Sequence, residues 1–190
     1  MVVFAIMSII ITATYSVFAS VNRTSTDNRV TAEVMQRLRN SFEFMEQDIR
    51  FAGLDRFDSA DAGIIAATAI NLRFTADRNM DGTINTADLS DGIQEQDLED
   101  ITYFYDAANS RLRQCLAEGT TNDWETVAED VSNFQFTFLD VAGNPLAFPI
   151  ADLSDIRSVQ VTMTIIQSTA LSGPVRRTLS KRILCRNLNF

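Results

Sequence analysis

Residues 1–22 form an apolar run, MVVFAIMSIIITATYSVFASVN, and the first charged side chain after it is Arg23. Serine and threonine hydroxyls are its main polar interruptions, and a helix satisfies such groups with its own carbonyl oxygens. About 20 apolar residues are enough to span the core of a bilayer. The run therefore predicts a membrane helix over residues 1–22. Two alternatives stay open: a buried helix of a soluble domain, and a signal peptide, which needs a basic segment before the apolar run.

Residues 23–52 are predicted to continue the helix with a different character. They are charged and helix-favouring, and no Pro or Gly occurs before Gly53, which is well placed as a C-cap. Apolar side chains recur every three or four residues and form one stripe, at Val34 or Met35, Leu38, Phe42, Met45, Ile49 and Ala52. One helix over residues 1–52 would be about 75–80 Å long. The alternative is two helices, broken at the polar residues 25–28.

The remainder, residues 53–190, is predicted to form a β-rich domain. Segments rich in β-branched and aromatic residues mostly alternate between apolar and polar positions, at 70–76, 101–106, 111–116, 134–140, 158–168 and 178–186. Turn signals between several of these segments favour hairpins and an antiparallel sheet. The predicted fold class is α+β, with a long N-terminal helix whose amphipathic half packs on an antiparallel β-sheet.

Composition excludes several kinds of chemistry. The chain has 190 residues, no histidine and a net charge of −9. Without histidine there is no Ser-His-Asp triad, no Cys-His dyad and no His-ligated zinc. A nucleic-acid partner is not expected either, because binding one needs a basic face. Acid pairs such as Asp58 with Asp61 are explained as exposed solubilising groups, so we expect no catalytic residues and no enzyme.

The negative charge is concentrated in one stretch of the chain. Residues 53–100 carry eleven acidic and three basic side chains, a net charge of −8. Residues 1–52 are neutral, and residues 101–190 carry nine acids and eight bases. A local excess of Asp needs its own explanation, and a bound cation is one candidate.

Residues 77–88, DRNMDGTINTAD, match the frame of an EF-hand calcium loop. Gly82 stands at the sharp turn, and oxygen-bearing groups recur at every second residue around it. The predicted calcium ligands are Asp77, Asn79, Asp81, Thr83 through its backbone carbonyl, Asn85 and Asp88. The last position is Asp rather than Glu, as in the dockerin loops that this run resembles, and the element before the loop reads as a strand rather than a helix.

The alternative for this loop is a solvated Asp/Asn/Gly turn. If calcium binds, three carboxylates predict a weak site, with a Kd of about 10⁻⁴–10⁻³ M. The ion would be structural, because it removes the repulsion between the carboxylates and holds the flanking strands. Further acids follow the loop, and we expect most of them to be solvated rather than to complete the ligand shell: Asp91, Glu95, Asp97, Glu99 and Asp100.

Cys115 and Cys185 are the two cysteines of the chain, and both fall in predicted strands. An even count in a domain outside the membrane predicts one disulfide between them. The alternative is a pair of buried free thiols.

Together, these patterns resemble the type IV pilins and the pseudopilins of type II secretion. The opening run MVVFAIMSIIITA is similar to the segment after the family's prepilin processing site, which would lie upstream of Met1. Residues 42–55, FEFMEQDIRFAGLD, look like the helix end of PilW-type minor pilins and the related J-type pseudopilins. The strand pair 158–165 and 177–188 resembles their C-terminal hairpin.

The resemblance implies a low-copy filament subunit. Such a subunit is anchored in the inner membrane by a single pass, with a periplasmic domain, and then enters a type IV pilus or a type II secretion pseudopilus, in the initiating or tip complex. Its partners are other pilin or pseudopilin subunits, contacted through the N-terminal helix. A membrane-anchored, calcium-dependent binding module, such as an adhesin, is the alternative function.

Overall fold

A single helix dominates the computed structural model, which describes residues 2–56, 62–84, 99–116, 124–169 and 173–188. Helix α1 runs from Val2 to Phe51 and is about 75 Å long. It passes through residues 25–28 without a break, so the alternative of two helices is wrong. Gly53 follows the helix with a φ of +74°, the left-handed conformation that favours glycine at a C-cap.

The strands of the described chain form two antiparallel sheets. The first has the order β1-β2-β3-β4-β5 and the second the order β6-β7-β8. Their bounds are β1 Ile64–Ala67, β2 Asn71–Thr75, β3 Asp100–Asp106, β4 Arg111–Leu116, β5 Trp124–Ala128, β6 Val131–Leu139, β7 Ser158–Gln167 and β8 Val175–Leu184. A short 3₁₀ helix, Leu153–Asp155, precedes β7.

The predicted α+β class is confirmed, with a difference in the number of sheets. The predicted strands correspond to β2, β3, β4, β6, β7 and β8, whereas β1 and β5 were missed. β1 has only four residues, IIAA, and β5 reads WETVA, so neither is long enough to show a clear alternation. The chain leaves the first sheet at the turn after β5, where Asp130 has a φ of +59°. The sequence predicted one sheet, because the alternation of apolar and polar residues indicates which face of a strand is buried and does not indicate which strands pair.

The core lies between the second half of α1 and the two sheets. The predicted stripe is confirmed, because its members are at most 1% exposed: Val34, Leu38, Phe42, Met45, Ile49 and Ala52. α1 contacts β8, β7 and β5. The apolar faces of both sheets complete the core, with Leu72, Phe74, Ile101 and Leu112 from the first sheet and Phe134, Phe136, Phe138, Val159, Val161 and Met163 from the second.

The first half of α1 has large apolar side chains that are exposed on all sides. Phe4 is 81% exposed, Ile10 56% and Phe18 63%. The hydroxyls of Thr12 and Thr14 donate to the carbonyl oxygens of Ser8 and Ile10, both at 2.8 Å, so these polar groups are satisfied within the helix. In the described part of the chain, α1 is the one helix long and apolar enough to cross a membrane.

Truncating a side chain should destabilise the β-domain strongly in the second half of α1 and hardly at all in the first half. Leu38→Ala removes a fully buried side chain and should lower the free energy of unfolding by about 2–5 kcal/mol. Ile10→Ala is the matched control; it should change the unfolding of the β-domain by less than about 0.5 kcal/mol, because Ile10 lies outside the core. Denaturant unfolding of the full chain in detergent, followed by Trp124 fluorescence, measures both. Equal effects would contradict the division of the helix.

Candidate functional site: the acidic loop and the end of the helix

The acidic loop begins at the C-terminal end of α1. The backbone N–H of Gly53 donates to the carbonyl of Thr75 at 2.9 Å, and that of Asp77 donates to the carbonyl of Leu54 at 2.7 Å. These bonds join the residues after the helix to the end of β2. The space at Gly53 is also tight, since a Cβ there would lie 2.4 Å from Leu188 Cδ2. The loop therefore starts from a rigid junction rather than from a free strand end.

Two of the predicted ligands converge at the start of this loop. Asp77 is buried, and its two carboxylate oxygens accept the N–H groups of Asp81 at 3.1 Å and of Gly82 at 3.0 Å. The same N–H of Asp81 donates to Asn79 Oδ1 at 2.9 Å. The side-chain oxygens of Asp77 and Asn79 therefore approach one common point. Gly82 has a φ of +82°, as the predicted sharp turn requires.

The structure describes two of the other four predicted ligands, Asp81 and Thr83. Asp81 is exposed, and its carboxylate accepts the N–H of Thr83 at 2.8 Å and the Nδ2 of Asn79 at 3.0 Å. Asn85 and Asp88 lie outside the described residues. Within the described ranges, no three Asp, Glu or Cys side chains form a group that could hold a metal ion. Four of the six predicted ligands therefore lie among the described residues.

Glu99 anchors the start of the acidic loop through hydrogen bonds, a role that the sequence did not reveal. Its side chain is fully buried, and Oε1 accepts the N–H of Arg78 at 2.5 Å and of Asn79 at 3.1 Å. The next residue, Asp100, is also buried and forms a bidentate pair with Arg73, at 3.0 and 2.6 Å. Glu99 and Asp100 are therefore not solvated, whereas Asp91, Glu95 and Asp97 lie outside the described residues. The position of Glu99 and Asp100 directly before a predicted strand was the available signal.

A buried carboxylate links the loop to the core. Asp48 lies on α1, is 5% exposed, and accepts hydrogen bonds from Tyr103 Oη at 2.6 Å and from Gln114 Nε2 at 2.8 Å. Arg78, which belongs to the acidic loop, places Nη2 3.8 Å from Asp48 Oδ1. One carboxylate thus connects the helix, strands β3 and β4, and the loop. The signal in the sequence was an acid at a helical position next to the buried stripe.

Burial sets the protonation behaviour of this cluster. It raises the pKa of the Asp48 carboxyl above its ordinary value, against the opposing effects of Tyr103, Arg78 and Gln114. Burial, followed by the adjacent Asp48, raises the pKa of the Tyr103 hydroxyl well above its ordinary value. Tyr103 therefore stays protonated and donates its hydrogen bond over the whole physiological range of pH.

The Asp48 cluster predicts a difference between two neighbouring tyrosines. Tyr103→Phe removes a donor from a buried carboxylate and should lower the free energy of unfolding by about 1.5–3 kcal/mol. Tyr105→Phe is the matched control, because Tyr105 Oη donates to a neutral acceptor, the carbonyl of Val131, at 2.9 Å. Its loss should cost about 1 kcal/mol. Denaturant unfolding of both variants checks this, and an equal or smaller loss for Tyr103→Phe would contradict it.

The structure contradicts the predicted disulfide between Cys115 and Cys185. Both side chains are buried, and no bond joins their sulfur atoms. Successive residues of a strand face opposite sides of a sheet, and Gln114 reaches Asp48 on the helix side. Cys115 therefore faces away from α1, whereas Cys185 belongs to the core around α1. Burial raises the pKa of the Cys185 thiol to about 12, which favours the protonated thiol at neutral pH.

Comparison with known proteins addresses the fold. No protein-family model matches the sequence, and no curated protein matches it. Among solved structures, the chain is similar to a type IV-like pilin from Thermus thermophilus, with a TM-score of 0.53. The alignment covers 82% of this chain and 98% of that pilin, at 10% sequence identity. An identity this low compares architecture alone. The chain therefore has the fold of a type IV-like pilin, a long N-terminal helix packed on antiparallel sheets.

Proposed function

We propose that the chain is a pilin-type subunit that assembles through α1. One observation carries the proposal: a single 50-residue helix packs its second half into the core of a β-domain, while its residues 2–22 carry no charge and expose large apolar side chains. A helix that is apolar on all sides is stable only in lipid or among other helices. The similarity to a type IV-like pilin supports the same arrangement.

The same helical surface serves both environments. Before assembly, residues 1–22 anchor the chain in the inner membrane by a single pass, with the β-domain in the periplasm. On assembly, contacts with lipid are exchanged for contacts with the helices of neighbouring subunits, while the polar domain stays in water. Ala13, Ala19 and Ser20 are small and allow close helix–helix approach. The product is a type IV pilus at the cell surface or a secretion pseudopilus in the periplasm.

The proposed role within that filament is that of a minor subunit. The resemblance of residues 42–55 and of the C-terminal hairpin to PilW-type minor pilins and J-type pseudopilins supports a low-copy subunit of the initiating or tip complex. Such a subunit affects nucleation more than elongation. Deleting it should therefore reduce the number of filaments per cell without changing their length.

A charge in the exposed half of α1 tests the assembly proposal. Ile10→Arg should cost about 2.5–3.5 kcal/mol at the membrane centre and remove the chain from both the membrane and the sheared filament fraction. The β-domain should unfold as before, because Ile10 lies outside its core. Ile10→Leu is the matched control and should behave like the wild type. Immunoblots of the two fractions measure the outcome. A wild-type chain that stays in the membrane fraction while filaments shear off without it would overturn the proposal.

We further propose that the acidic loop binds one calcium ion as a structural ligand, through Asp77, Asn79, Asp81, the carbonyl of Thr83, Asn85 and Asp88. The convergence of the Asp77 and Asn79 oxygens on one N–H group supports this, because a hard cation requires oxygens that meet at a point. The loop is bonded to the residues after α1, so the ion would stiffen that end of the domain. If calcium also bridges to a ligand, the function is the alternative one, a membrane-anchored, adhesin-like binding module.

Calcium dependence of unfolding tests this loop. At a calcium concentration about 100 times the Kd, the wild-type chain should gain about 2.7 kcal/mol of stability over its value in chelator. Asp77→Ala with Asp81→Ala should abolish the gain. The control, Glu125→Ala with Glu129→Ala, removes the same charge from exposed positions outside the loop and should keep the gain. Thermal melts of the full chain in detergent measure it. Identical wild-type melts in calcium and in chelator would show that the loop is an ordinary turn.

A further inference from the structure

The last strand of the three-stranded sheet, β8, has one side without a neighbouring strand. β8 pairs with β7 along its whole length, from Val175 to Leu184, and no described strand lies on its other side. That side of β8 is called the open edge here. Every second residue of the strand is exposed, at Arg176, Thr178, Ser180, Arg182 and Leu184.

The register of the sheet shows which backbone groups point to the open edge. In an antiparallel pair, residues that exchange hydrogen bonds with the partner strand alternate with residues whose N–H and C=O groups point away from it. Directly after β8, the N–H of Cys185 donates to the carbonyl of Arg157 at 3.1 Å, so the odd-numbered residues face β7. On β6, the N–H of Phe136 points away from β7, to Ala69, and Phe136 lies opposite Val161, which gives the same alternation. The even-numbered residues of β8 therefore direct their N–H and C=O groups to the open edge.

Most of these edge groups have no partner within the described chain. The carbonyl of Arg176 accepts Nη1 of Arg177 at 3.0 Å. The backbone N–H and C=O groups of Thr178, Ser180 and Arg182 are bonded to no described residue. A row of such groups is a template for an extended chain, because a strand added there satisfies the whole row.

The arginines at the start of β8 determine which kind of strand the open edge accepts. Arg176 and Arg177 are exposed, and among the described residues no carboxylate lies within ion-pair distance of either. The sequence from residue 156 to residue 190 contains no acidic side chain. Two copies of this edge repel each other, which disfavours pairing of β8 with a second β8. An acidic strand is attracted instead, so the charge selects an acidic partner.

The two faces of the sheet at the open edge differ in polarity. On the side of α1, Leu179 packs against the core. On the opposite side, the hydroxyls of Thr178 and Ser180 lie 2.8 Å and 2.9 Å from those of Thr164 and Thr162 on β7. Successive residues of a strand face opposite sides of the sheet. A strand that alternates apolar and acidic residues therefore fits, with its apolar residues beside Leu179 and its acidic residues on the side of Arg176.

We propose that the open edge of β8 binds an extended acidic segment of a different protein, which adds to the sheet as an antiparallel strand. Backbone hydrogen bonds supply the affinity, and the arginines supply the choice of partner. One added strand fills the edge, so the contact forms once per copy, as suits a subunit present in few copies. The contact does not involve α1, and it goes beyond the proposed assembly through the helix.

A synthetic peptide tests the contact on the unmodified chain. The probe is an acetylated, fluorescein-labelled peptide of nine alternating Glu and Val residues, and its fluorescence anisotropy is followed as full-length chain in non-ionic detergent is added. In the antiparallel pair, the Glu residues direct their N–H groups to β8. N-methylation of three Glu residues removes three donors and should weaken binding at least about tenfold. N-methylation of three Val residues is the matched control, and it should weaken binding less than about twofold, because those N–H groups point away from β8.

Variants of β8 test the same contact from the side of the protein. Ser180→Pro removes an N–H that points to the open edge and keeps the bonds to β7, so it should weaken peptide binding at least about fivefold. Ser180→Ala keeps that N–H and should bind like the wild type. Arg176→Gln with Arg177→Gln should weaken binding about three- to tenfold. Its control, Arg23→Gln with Arg39→Gln, removes the same charge at exposed positions on α1 and should weaken binding less than about twofold.

Circular dichroism verifies that each variant keeps its fold, and the two methylated peptides need no variant at all. Equal binding of these two peptides would overturn the proposal, because it would show attraction by charge alone without use of the open edge. A wild-type chain that leaves the unmodified peptide free at about 1 mM would also overturn it. The titrations require no filament, so their outcome is independent of the assembly proposal.

Discussion

Burial of one helical stripe between two sheets is the contact on which the rest of the structure depends. The stripe from Val34 to Ala52 is at most 1% exposed, and both sheets turn their apolar faces toward it. The two sheets also contact each other directly, since the rings of Tyr105 in β3 and Phe134 in β6 lie 5.8 Å apart. The first half of α1 continues the same helix without a break, so the exposed apolar half extends directly from the β-domain.

Asp48 places a buried carboxylate beside this apolar contact. A buried carboxylate is costly unless its oxygens are paired, and here Tyr103, Gln114 and Arg78 supply the partners. Because Arg78 belongs to the acidic loop, the same cluster that fixes the helix against β3 and β4 also fixes the start of the loop. Glu99 is a second anchor, because its carboxylate accepts backbone N–H groups of the loop. The proposed calcium site would thus stand on a preorganised base, which favours a structural rather than a switching role.

Charge is distributed unevenly along the chain. The helix is neutral overall, the β-domain is acidic through residue 155, and the terminal hairpin is basic. Inside the domain the charges meet in local pairs, such as Arg73 with Asp100 and Lys181 with Glu46. Further pairs of opposite charge lie at the surface, such as Arg111 with Glu129 and Arg37 with Asp130.

Local periodicity alone determined much of this protein. The apolar run, the stripe with its step of three or four residues, Gly53 at the helix end and the long alternating strands could all be read from the sequence, because each depends on neighbours within one or two turns or along one strand. The tertiary structure decided what depends on distant partners. It divided the strands between two sheets, buried Glu99 and Asp100 instead of leaving them solvated, and placed Tyr103 and Gln114 on Asp48. It also placed Cys115 on the side of the first sheet that faces away from α1 and Cys185 in the core around α1, an arrangement that a count of cysteines does not indicate.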